Sequence, residues 1–170
     1  MDFSELADKR YSCRKFSDKK VDDSLIKEII ETANKAPTAV NKQPVKVFWM
    51  DSDKAKDAIG KCTPYTFGAQ SFLLVGYKED EGWVRGYDKR PFADVDGSIV
   101  STYIMMALKD LGLDTTWVGS FDPSVLKDAF AELKEYELIA IFPIGYKADD
   151  AEPSPRHTVR KDINDFSMKL

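Results

Sequence analysis

An α+β fold, with helices layered on a sheet rather than bundled on one another, follows from three features of the 170-residue chain. Runs rich in β-branched and aromatic residues at 45–50, 72–77, 115–118 and 138–144 read as strands. Between them lie segments whose apolar residues recur at helical spacing. The third feature is the junction APTAVNKQPVKVFWM at 36–50, where a helix stops, a polar loop turns and an extended run begins. With 43% hydrophobic and 12% aromatic residues, the sequence can cover such a sheet. A chain of this length most simply forms one domain over 1–170, with 147–170 as a C-terminal arm.

Asp2 followed by Glu5 resembles a capping box and opens a short helix, with Phe3, Leu6 and Ala7 on its apolar side. Its exit delivers Arg10, Tyr11, Ser12, Cys13 and Arg14, and Phe16 anchors the returning chain. Residues 21–34 read as a helix opened by Asp22 or Asp23, with Leu25, Ile26, Ile29, Ile30 and Ala33 forming a stripe. Pro37 blocks its continuation. Residues 53–61 form a short connecting helix. After the 72–77 strand, 78–92 mixes charges, glycines, Trp83, Tyr87 and Phe92, as a connector or a substrate-covering flap would.

The strongest helical segment, 96–111, carries the consecutive apolar residues Ile104, Met105 and Met106. It is therefore expected to be buried on more than one side, centrally or across a dimer interface. Gly112 can supply its C-cap. Asp122 and Pro123 open another helix with Leu126, Ala129, Phe130 and Leu133 facing inward. The closing stretch DDAEPSPRHTVRKDINDF is punctuated by proline and returns Arg156, His157 and Arg160 late in the chain.

A net charge of −4 and a pI near 5.1 argue against a general nucleic-acid surface, but not against a local anion site. One His and the spacing of Cys13 and Cys62 do not suggest a metal centre, so the expected metal set is none. The charged N-terminus lacks a long apolar run, and a reduced, cytoplasmic chain is expected. Arg10 and Arg14 are either solvent-facing charges or, with Ser12 and the late arginines, a phosphate site. Thr38, Asn41 and Gln43, bracketed by Pro37 and Pro44, either satisfy their own turn or bond to a planar heterocycle. Gly119 and Ser120 occupy a turn able to present backbone N–H groups.

The ordered set RYSCRKF at 10–16, APTAVNKQP at 36–44, GLDTTWVGSFD at 112–122, PIGY at 143–146 and PRH at 155–157 resembles the FMN-dependent nitroreductase family, as a short member. That resemblance implies a mainly antiparallel central sheet flanked by helices in an intertwined homodimer, with FMN at the subunit interface. Carried over by motif, Arg10, Ser12, Arg14 and Arg156 hold the flavin phosphate, with Tyr11 between the first two. Arg160 is a reserve. Pro37, Thr38, Ala39, Asn41 and Gln43 face the ring, and Gly119 and Ser120 lie at its N5 and O4 edge.

The implied activity is ping-pong: NADH or NADPH gives hydride to FMN N5, and a nitroaromatic, quinone or similar acceptor then takes the electrons. The resemblance implies no side-chain catalytic residue, because the cofactor carries the chemistry. Reductive dehalogenation, enone reduction or flavin binding without turnover are the alternatives on the same scaffold. The short span between Trp49 and Phe72, Val45 where an aromatic is frequent, and Gly119 where some relatives are acidic imply a more open pocket or an altered substrate preference.

Overall fold

The computed structural model describes residues 2–170. Short polar side chains set where most of the helices begin, each accepting from an N–H that the first turn leaves unpaired. Asp2 accepts from Glu5 N–H at 2.9 Å and opens α1, Phe3–Lys9. Asp22 caps α2, Asp23–Ala33, through Ser24 N–H. The chain then enters β1, Val45–Met50, and Ser52 caps α3, Asp53–Cys62. After β2, Ser71–Tyr77, the long α4 spans Ala93–Asp110. Asp122 opens α5, Pro123–Ala129, with proline in its first turn. β3, Glu137–Ile144, and the short α6, Ile163–Phe166, complete the order.

The three strands form an antiparallel sheet in the order β1-β2-β3. β2 is central, which explains why FLLVGY lacks the alternation of a half-wetted strand: both of its faces are covered. On one face Phe72, Leu74 and Ile141 pack with Phe16, Ile59, Leu126 and Leu133 beneath α3 and α5. On the other, Leu73, Val75 and Phe142 meet Ile26 and Ile29 of α2 and Val100, Ile104 and Leu108 of α4. α4 approaches β3 closely at Gly97, where an added Cβ would sit 2.1 Å from Ile139 Cδ1.

α4 ends as its sequence suggests. Gly112 adopts φ +77, its N–H donates to Lys109 O at 3.1 Å, and Leu113 N–H donates to Leu108 O at 2.9 Å. That pair of bonds satisfies carbonyls left over by the last turn, and glycine takes the left-handed position without a Cβ penalty.

Three expectations are corrected. Residues 115–118 do not make a continuous strand: Thr115 bridges Ser12 and Val118 bridges Ile141 as isolated contacts, so the sheet has three strands. The helix after Asp122 stops at Ala129 because Phe130 turns extended at φ −134; Leu133 reaches the core from a separate 3₁₀ turn. Phe3 is 74% exposed rather than packed, leaving Leu6 as the buried anchor of α1. Within one chain, α4 buries a single stripe through Val100, Ile104, Ala107 and Leu108, while Met105 and Met106 are half-buried and Tyr103 is exposed. Among the described residues, no helix is long and apolar enough to cross a membrane.

Phe142 is fully buried and meets the Trp117 ring edge-on at 5.4 Å. Phe142→Ala should lower stability by about 3–5 kcal/mol through lost transfer energy and a residual cavity. The check is the urea midpoint, which should fall with little change in slope.

Candidate functional site

Two segments far apart in sequence are clamped together beside α1. The chain leaving α1 runs extended through Arg10, and Cys13 N–H donates to Thr115 O at 3.0 Å. The arm leaving β3 returns along it: Ser17 N–H donates to Tyr146 O at 2.9 Å, Ala148 N–H donates to Lys15 O at 3.1 Å, and Lys15 pairs with Asp150. Ser154 then caps the 3₁₀ turn Pro155–Thr158 by accepting from Arg156 N–H. His157 lies against α1, with Nε2 3.3 Å from Asp8 O and its ring edge-on to Tyr11.

The clamp encloses a recess of about 400 Å³. Arg10, Ser12 and Arg14 line one side; Ser154, Arg156, His157 and Arg160 line the other. Four guanidiniums converge with no carboxylate among the lining residues, in a chain whose net charge is −4. Carbonyls partly occupy two of them: Arg14 donates to Ser12 O at 3.3 Å, and Arg160 donates to His157 O and Val159 O. Such a donor set suits a compact dianion such as a phosphate monoester.

Tyr11 turns inward beneath this recess rather than lining it. Its hydroxyl is 3.5 Å from Ala151 O, and the Lys109 ammonium lies 5.6 Å from its ring centroid while pairing with Asp114 at 2.8 Å. Burial, aided by the neighbouring Cys13 thiol and Asp114 carboxylate, pushes the Tyr11 phenol well above its ordinary value. Cys62 is likewise buried, and its thiol is pushed up to about 11, so it stays protonated at neutral pH.

The predicted ring-facing residues are elsewhere. Thr38 Oγ1 accepts from Gln43 N–H at 3.0 Å, Asn41 N–H donates to Thr38 O at 3.0 Å, and Gln43 Nε2 donates to Asn41 O at 3.4 Å. Val40, Asn41 and Gln43 all take positive φ, at 46, 57 and 53, which is costly for side-chain-bearing residues. Ala39 N–H donates to Asp96 Oδ1 at 2.8 Å, tying the loop to the first turn of α4. Thr38 and Gln43 also border a hollow of about 270 Å³ with apolar walls from Ile30, Ala33, Val45, Val47 and Val100.

α4 measures the separation: Asp96 marks its loop end and Lys109 its recess end, about 20 Å apart at the helical rise of 1.5 Å per residue. The recess therefore unites Arg10, Ser12, Arg14 and Arg156 without Pro37, Thr38, Ala39, Asn41 or Gln43.

Gly119 and Ser120 lie at a third place, where Ser120 O accepts from Thr63 Oγ1 at 2.8 Å. An added Cβ at Gly119 would meet only the Trp117 indole, at 3.6 and 3.8 Å, so the turn itself does not require glycine. In the 78–92 stretch, Trp83 and Phe92 pack edge-on at 5.0 Å with Arg85 and Arg90 against Phe92, and Tyr87 stands fully exposed at the tip.

Sequence reasoning missed Asp96. Its signal was available: a carboxylate in line with Val100, Ile104 and Ala107 on a stripe that otherwise faces the core.

The model of the nitroreductase family matches residues 7–64 and 61–146. A crystal structure of a nitroreductase family protein from Clostridium difficile 630 superposes with a TM-score of 0.90 at 31% identity, covering 99% of this chain and 98% of that one. An Exiguobacterium sibiricum protein solved in complex with FMN shares the fold at a TM-score of 0.83 and 22% identity, covering 100% and 98%. A Ralstonia nicotianae protein provisionally named NADH dehydrogenase/NAD(P)H nitroreductase is 26% identical over 161 residues, 82% of each chain.

Tyr11 gives a pH test of the packing beneath the recess. Its folded pKa is raised above the ordinary 10.0, so the unfolded chain releases the phenolic proton first. Stability should hold below about pH 10 and fall as pH rises above it. Tyr11→Phe should flatten that alkaline decline in thermal melts, at a neutral-pH cost of about 1 kcal/mol or less, since the lost hydrogen bond is long.

Proposed function

Because the chain belongs to the nitroreductase family, we propose that it is an FMN-dependent NAD(P)H oxidoreductase acting on nitroaromatic, quinone or similar conjugated acceptors. The observation that carries this reading is the convergence of four arginines and Ser12 from opposite ends of the chain. Like charges repel unless an anion sits among them, and a phosphate monoester offers the two negative charges and three oxygens that such forks recognise. FMN carries that group; the residues present fit it.

Arg10, Ser12, Arg14 and Arg156 hold the phosphate, with Arg160 at the rim. Tyr11 acts from below, by packing that fixes the Arg10–Ser12 backbone. Pro37, Thr38, Ala39, Asn41 and Gln43 form the ring-facing loop, and Gly119 and Ser120 offer backbone groups and open space at the reacting edge. Bound FMN would supply the redox chemistry, accepting hydride from NADH or NADPH and then passing electrons to the acceptor. The protein's own contribution is to bind and orient. No side chain is assigned proton transfer, and His157 belongs to the phosphate end.

A homodimer is part of this proposal. The loop and the recess sit at opposite ends of α4, so a two-fold partner can bring the loop of one copy to the recess of the other. The half-covered outer flank of α4 supports this, as do Val159, Ile163, Phe166, Met168 and Leu170, all largely exposed along the arm.

Two measurements test the reading. Anaerobic stopped-flow absorbance of the FMN-loaded protein should show the oxidised-flavin band bleach on mixing with NADH or NADPH. The double variant Arg10→Ala/Arg156→Ala should bind FMN about a hundredfold more weakly, as expected for lost charge-assisted hydrogen bonds, and riboflavin nearly as well as the parent. Unchanged FMN affinity overturns the phosphate assignment, and a wild-type protein that binds no FMN overturns the function.

A further inference from the structure

Asp96 is 1% exposed, and only one of its oxygens is used. Oδ1 accepts from Ala39 N–H at 2.8 Å, while Oδ2 is buried without a hydrogen-bond partner among the described residues. No ion pair with a described residue neutralises it at salt-bridge distance. A position that served only to tie down the loop would be met at lower cost by a serine or an asparagine, whose neutral oxygen accepts the same bond. The first turn of α4 offsets part of the burial cost, since the helix N-terminus favours negative charge. What remains is a charge kept in the core at one end of a strained loop.

The charge acts on a short chain of bonds. The Thr38–Ala39 peptide donates its N–H to Asp96, and its carbonyl accepts from Asn41 N–H at 3.0 Å. An anionic acceptor polarises that peptide, so its carbonyl becomes a stronger partner for Asn41. Thr38 Oγ1 closes the loop from the other side by accepting from Gln43 N–H. Val40, Asn41 and Gln43 are thereby held at positive φ, which an untethered loop would leave.

We propose that Asp96 is a positioning residue that sets the ring-facing loop: its carboxylate, through the Thr38–Ala39 peptide, fixes Asn41 and Gln43 in the geometry that receives the flavin ring. The inference rests on the functional reading above and extends it to a residue that touches neither the phosphate recess nor the chemistry.

The test uses the full-length protein with FMN and with riboflavin, which lacks the phosphate. Dissociation constants come from fluorescence titration, and ring mobility from the time-resolved anisotropy of bound flavin at saturation. Asp96→Ala should weaken FMN and riboflavin by the same factor, about tenfold for one lost charge-assisted bond, and add a fast component to the anisotropy decay. Asp96→Asn keeps an acceptor for Ala39 but removes the charge, and should fall between the parent and Asp96→Ala on both readouts. Equal factors for the two flavins set this effect apart from the arginine variants, which should spare riboflavin.

A purely structural role would lower the melting temperature and leave the bound ring as immobile as in the parent. That result, or parental affinities in both variants, overturns the proposal. Should Asp96→Ala fail to fold, Asp96→Asn decides, and parental values there overturn it. A wild-type protein that binds neither flavin removes the functional reading and this inference with it, whereas flavin binding unchanged by either variant removes only the inference.

Discussion

Burial of β2 on both faces is the constraint from which the architecture follows. A strand with Phe72, Leu73, Leu74 and Val75 all withdrawn from water needs two layers of cover, and each such side chain contributes about 1.5–3 kcal/mol only if the layer over its own face is present. α2 and α4 supply one layer, while α3 and α5 with Phe16 supply the other. β1 and β3 complete the hydrogen bonding of β2 on either side, and β1 is left as an edge. The polar loop that enters β1 and the arm that leaves β3 are thereby delivered to fixed places. The candidate site is built at the ends of the elements that cover the central strand.

The recess illustrates how packing and charge divide the work. Four guanidiniums repel one another, and no carboxylate lines the recess to neutralise them. What holds them together is the backbone clamp between residues 15–17 and 146–148, with the Lys15–Asp150 pair and the His157 contact to α1. An exposed ion pair contributes little by itself. The clamp depends instead on the backbone bonds, which carry no charge and act whether or not an anion is present. Below it, Lys109 and Asp114 form a pair in which the carboxylate is 5% exposed, so the positive field above is anchored on a locally compensated base. The site is preorganised by neutral bonds and left electrostatically incomplete.

Much of this was legible in the sequence, for reasons that differ by element. β1 and α2 follow directly from pattern: a β-branched and aromatic run after a polar loop, and an apolar stripe opened by Asp22. The meeting of Arg10, Arg14 and Arg156 could be suspected from charge and motif, but only the path of the arm brings them to one recess. The 115–118 stretch failed as a strand because its hydrogen bonds go to two different partners, Ser12 and Ile141, and local propensity does not encode a change of partner. Phe130 failed as a helical residue because its side chain packs inward equally well from an extended turn. The outer flank of α4 is apolar enough to suggest cover on more than one side, yet one chain covers one stripe. Composition records the need for burial and not which molecule satisfies it.

Several local choices here disagree with what the fold alone would ask. Gly119 sits where an added Cβ would make only ordinary contacts with Trp117, so the turn would accept a side chain. Val40, Asn41 and Gln43 hold a backbone conformation that glycine would adopt at lower cost. Asp96 buries a carboxylate oxygen without a hydrogen-bond partner among the described residues. The local signals agree with the structure at the capped starts of α1, α2, α3 and α5 and at the glycine end of α4. Of the five described non-glycine residues at positive φ, three fall in the loop proposed to face the ring, the others being Phe67 and Lys89, and Asp96 meets that same loop. Stability selects against each of these features separately. Their occurrence in one fold is explained if the loop, the glycine and the arginines all meet the same flat, phosphate-tailed molecule.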